Sequence, residues 1–132
     1  MRYVCEPDCT SSRCPAKKQL ELDRTMIGTK LYVVVRADLP SSGFKAAQLH
    51  HAARQFQHEY PRVEDAWFRV SNTIAMLEVA NVSQLETLIE KALNLNVKFS
   101  TFHEPDIGGQ LTAVTFEPGE ASSDMLRGVR TM

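Results

Sequence analysis

The run "KLYVVVR", residues 30 to 36, is nearly continuous in β-branched and other apolar side chains, and it constrains the fold more than any other stretch. Three consecutive valines leave no polar face for water, so the segment reads as a strand covered on both sides, as in an open α/β sheet. The polar turn "DLPSSG" follows, with Ser41 or Ser42 placed to cap a helix. That helix is expected from about Phe44 to about Glu59, where Tyr60-Pro61 ends it.

At about 100° per residue, Ala46, Leu49, Ala52, Ala53 and Phe56 share one side of this helix, with Phe44 at its head. Gln48, His51, Gln55 and His58 share the other, which reads as the solvent side. Downstream, "TIAMLEV" is a second strand and "SQLETLIEKALNL" an amphipathic helix, with Ser83 as its expected cap and Glu86 at the capping-box position. "NVKFSTF" and "LTAVTFEP" are two further strands around the loop "HEPDIGGQ", and the tail holds one helical turn around "SSDMLRGV". The order β-α-β-α-β-β implies an α/β fold, a small layer sandwich with a four-stranded mixed β-sheet flanked by helices, over residues 30–132.

Residues 1–29 show no sustained period and read as a flexible, cysteine-bearing N-terminal extension. All three cysteines, Cys5, Cys9 and Cys14, lie there in C-x3-C-x4-C spacing. An odd, clustered set is a poor disulfide framework, and tetrahedral zinc wants a fourth ligand that is not nearby. They read as reduced thiols, with a metal site on Cys5, Cys9 and Cys14 as the alternative, and no cofactor is expected.

The net charge is −1, divided as +2 over residues 1–30 (six basic, four acidic) and −3 over residues 31–132 (nine basic, twelve acidic). Any nucleic-acid contact must therefore use a local patch. No stretch approaches the ~18 apolar residues of a membrane span, and no secretory signal is evident, so a cytoplasmic protein is expected.

Ligands of open α/β sheets bind beyond the carboxyl ends of strands, where Arg36, Asp38 and the head of the first helix fall. Gln48 and His51, three residues apart, are neighbours on that helix, and His51 suits general base work near neutral pH. The bland reading of both is a solvated helix face. A second cluster is His103, Glu104 and Asp106 before the Gly108-Gly109 turn, with Thr112 offering a hydroxyl. Trp67 reads as a packing anchor rather than a base-stacking platform. Dinucleotide, P-loop, zincin and nucleophile-elbow motifs are absent.

The succession of "LYVVVRADL", "AAQLHHAA", "TIAMLEV", an amphipathic helix and "LTAVTFEP" resembles the type II peptidyl-tRNA hydrolase family over about residues 30 to 118. Its most specific part, A-A-Q-x-x-H-A, is present as Ala46, Ala47, Gln48, His51 and Ala52, and Arg36, Asp38 and Leu39 match the strand end. The family lysine aligns with Phe44, Lys45 stands one residue later, and the shorter loop "HEPDIGGQ" aligns Glu104 with the family aspartate. This is the pattern of a divergent branch.

The resemblance implies cleavage of the ester between a peptide and the ribose at the tRNA 3′ end, in translation. Gln48, His51, Glu104, Lys45 and Thr112 are the implied catalytic positions; Arg36, Asp38, Phe44 and Asp106 are the substrate-binding ones. It further implies the acceptor end of peptidyl-tRNA as partner, and a homodimer. The alternative is a non-catalytic RNA- or protein-binding module that keeps the fold without the lysine.

Overall fold

The computed structural model describes residues 14–132. Five strands form one sheet in the order β3-β4-β1-β2-β5, where β1 is Lys30–Arg36, β2 Thr73–Val79, β3 Phe99–Glu104, β4 Gln110–Phe116 and β5 Arg130–Thr131. The β1–β2 pair is parallel and the other pairings are antiparallel. The sheet is mixed, as expected, but has five strands rather than four. β5 is only two residues long and is created by its pairing with Leu77 and Glu78, not by an apolar pattern of its own.

The strand covered on both sides is β1. Leu31, Val33 and Val35 pack into one core with helices α2 (Ser42–Glu59) and α3 (Pro61–Val70). Val34 and Tyr32 face a second core, built with α4 (Val82–Asn94) and residues near α5 (Glu120–Met125). Each face hides apolar surface at roughly 25 cal/mol per Å2, which is why a valine run is stable there.

Ser41 caps α2: its hydroxyl accepts the Phe44 N–H at 3.1 Å. Tyr60-Pro61 ends α2 and, with proline in the first turn, begins α3, a helix unassigned from the sequence. Val63, Ala66, Trp67 and Val70 give α3 its inner side, and buried Trp67 donates Nε1–H to the Thr73 carbonyl at 2.9 Å, the packing anchor expected. For α4 the cap is Asn81, whose side chain accepts from Gln84 N–H, and not Ser83, which lies inside the first turn.

The stretch read as an extension contains a helix, α1 (Pro15–Met26). Met26 and Leu22 join the first core, and Arg69 of α3 grips Asp23 with two hydrogen bonds of 2.9 and 3.2 Å. At its head Cys14 is buried and disulfide-bonded, unlike the reduced thiol expected, while Cys5 and Cys9 lie outside the described residues. Among the described residues no helix is long and apolar enough to cross a membrane.

Candidate active site

The phase of α2 differs from the amphipathic reading. Ala46 is exposed, whereas Gln48 is 1 % exposed and sits on the sheet with Leu49, Ala52 and Phe56. A buried amide must be hydrogen-bonded, and the sheet supplies both partners. Thr112 donates its hydroxyl to Gln48 Oε1 at 2.5 Å, and Gln48 Nε2 donates to Glu104 Oε1 at 3.3 Å. The Gln48 amide thus uses both its ends, its oxygen toward Thr112 and its nitrogen toward Glu104.

Thr112 reaches Gln48 because β4 bulges there. Phe102 pairs with Ala113 and His103 with Leu111, which leaves Thr112 as the extra residue. The bulge turns its side chain toward α2 and away from a place in the ladder. On the neighbouring strand β3, Phe102 carries the His51 ring stacked on it, with centroids 4.5 Å apart and planes 13° apart. His51 and Gln48 thus lie one helical turn apart along β3, with His51 exposed and Gln48 enclosed.

At the end of β1, Arg36 is 8 % exposed and makes four hydrogen bonds. Nε and Nη2 grip the two Asp38 oxygens at 2.9 and 3.2 Å, and Nη1 donates to Gln110 Oε1 at 2.9 Å and to the Leu111 carbonyl at 3.1 Å. This fork ties the end of β1 to the start of β4. The Arg36 hydrogen bond holds the Asp38 carboxyl below its usual range, against an opposing effect of burial, with Lys45 adding to the lowering. On the α4 side a depression of about 590 Å3 opens over Arg36, lined also by Glu86, Ile89, His103 and Gln110.

Lys45, at the head of α2, points across to β2, where its Nζ lies 4.0 Å from Glu78 Oε2. The other oxygen of Glu78 accepts from Arg130 Nη2 of β5 at 2.5 Å. Phe44, beside Lys45 at the head of α2, is half-buried against the first core.

The structure therefore joins Gln48, Glu104 and Thr112 directly, sets Lys45 and Asp38 within electrostatic reach of each other, and places His51 on the β3 flank. Asp106 stands on an exposed 3-10 turn, Pro105–Ile107, where no described contact links it to this group. The sequence reading missed Glu78, Arg130 and Gln110. Glu78 alone had a signal, as a single carboxylate at the end of an apolar strand. Among the described residues no group of His, Cys, Asp and Glu side chains is arranged to hold a metal ion.

A model of the family described as peptidyl-tRNA hydrolase PTH2 matches residues 29–124 of the chain. No curated protein matches it.

Proposed function

Because the chain belongs to the peptidyl-tRNA hydrolase PTH2 family, we propose that it hydrolyses the ester joining a peptide to the terminal ribose of tRNA. Water adds to the ester carbonyl, the bond from the acyl carbon to the ribose oxygen breaks, and free tRNA and peptide leave. The observation that carries this reading is the enclosed Thr112–Gln48–Glu104 chain at the head of α2, beside an open histidine and a lysine.

Gln48 is too enclosed to meet substrate and acts as a positioning residue, fixing the Glu104 carboxylate through its amide. Glu104 then orients the attacking water. His51, open to solvent and steadied by Phe102, takes the proton from that water and returns one to the departing ribose oxygen. Lys45 supplies positive charge to a phosphate of the acceptor end. Arg36 is held by Asp38, Gln110 and Leu111, so its role is to fix the strand ends around the site.

The test is release of an N-acetylated aminoacyl group from tRNA by the full chain, with Glu104→Gln alongside. Glutamine keeps an oxygen for the Gln48 amide but cannot hold water as a carboxylate does, so the rate should fall about a hundredfold or more with tRNA affinity retained. Phe44 in place of the family lysine favours a second reading, an RNA- or protein-binding module. Tight tRNA binding by folded wild-type protein with no release would support that module instead.

A further inference from the structure

The family match ends at residue 124, yet the chain continues to β5 and returns to the site. Val129 and Leu126 pack into the second core, Gly128 at φ 86° makes the turn, and Arg130 then pairs in register with Glu78. Glu78 is thereby bracketed, with Arg130 at 2.5 Å on one oxygen and Lys45 at 4.0 Å on the other.

The asymmetry of those two distances matters because the Glu78 side chain is 13 % exposed. A carboxylate so withdrawn from water draws in the nearest cation. With Arg130 in place that demand is met by a guanidinium whose side chain is 72 % exposed, and Lys45 stands off. Without it, Lys45 would be the only described ion-pair partner of Glu78. The local balance shifts as well. Loss of Arg130 removes one of the two cations beside the Glu78 carboxylate and so leaves the ground next to an anionic substrate less positive.

We infer that β5 belongs to the substrate site: Arg130 is a positioning residue that occupies Glu78 and so leaves Lys45 available to a phosphate of the acceptor end. This rests on the hydrolase reading for its substrate, and on the Glu78 geometry for its mechanism.

The experiment compares wild-type protein with Arg130→Ala, Arg130→Lys and the double variant Glu78→Gln/Arg130→Ala. Two quantities are read: affinity for an uncharged acceptor-stem RNA hairpin, and the half-saturating protein concentration in single-turnover release. Arg130→Ala should weaken both about three- to fivefold, the scale of one partly exposed ion pair, with little change in the saturating rate. Arg130→Lys should restore most of the loss, and so should the double variant, since a neutral residue 78 no longer competes for Lys45. The double variant has no ion pair between positions 78 and 130, so its recovery cannot come from re-anchoring the tail. Wild-type affinity in Arg130→Ala, or a double variant as weak as Arg130→Ala, would overturn the inference. Absence of release by wild-type protein would count against the hydrolase reading alone, while hairpin affinity still decides the role of Arg130.

Discussion

Thr112 and Gln48 are 64 residues apart in sequence and meet at 2.5 Å, hydroxyl to amide oxygen, in a place closed to water. The contact exists because a bulge in β4 turns Thr112 toward α2. Thr112→Val keeps the shape and removes the donor, leaving Gln48 Oε1 buried without it. Urea unfolding should show a loss of about 1–3 kcal/mol, and Thr112→Ser should lose little. Equal stability of Thr112→Val and wild type would contradict the contact.

Arg36 and Lys45 both carry positive charge at the strand ends, but their surroundings assign them different work. The Arg36 fork is committed to Asp38, Gln110 and the Leu111 carbonyl, and lysine cannot reproduce it. Arg36→Lys should destabilise the fold by about 1–3 kcal/mol and leave the salt dependence of tRNA binding as it was. Lys45→Ala should do the reverse, with stability near wild type and the log–log salt slope reduced by about one. A reduced slope in Arg36→Lys would show that Arg36 touches phosphate.

Asp38 has a measurable acid signature. Its carboxyl is held below the ordinary range chiefly by the Arg36 hydrogen bond, so the folded state binds its proton less readily than the unfolded chain. The stability it adds is full above the unfolded value of about 4 and disappears as pH falls through the lowered folded value. Asp38→Asn should therefore flatten that part of the acid unfolding limb while leaving the slope above it unchanged. An unaltered limb would mean that Asp38 does not keep its pairing with Arg36 in solution.

The head of α4 separates two readings of one sequence. Ser83 with Glu86 and Asn81 with Gln84 both fit the capping pattern, and the structure uses the second: Asn81 accepts from Gln84 N–H, and Gln84 Oε1 accepts from Ala80 N–H at 2.7 Å. Asn81→Ala should cost about 1 kcal/mol in thermal or urea unfolding, and Ser83→Ala close to nothing. The opposite order would return the cap to Ser83.

The same choice between local patterns explains how far the fold was legible. The valine run announced a strand buried on both faces, and β1 is one, because consecutive β-branched residues have no competing arrangement. Periodicity misplaces Ala46 and Gln48 on α2, since it counts polarity and cannot see that Thr112 and Glu104 wait on the sheet to satisfy an amide. Tyr60-Pro61 marks a stop in the sequence, yet proline serves equally well in a first turn and begins α3 here. β5 was invisible because nothing in Arg130-Thr131 marks a strand; Glu78 and Leu77, more than 50 residues earlier, make it one. Gln48, His51, Glu104, Lys45 and Thr112 were legible as candidates, whereas the bracket around Glu78 arises only when distant strands pair.

Hydrolysis of peptidyl-tRNA at the head of α2 is decided by single-turnover release of an N-acetylated aminoacyl group from tRNA, with protein in excess and His51→Ala in parallel. Wild-type protein should release the group, and His51→Ala should do so more slowly by about two to four orders of magnitude, with tRNA affinity nearly unchanged. Equal release by the two proteins would remove His51 from the chemistry, and no release by folded wild-type protein would contradict the hydrolase itself.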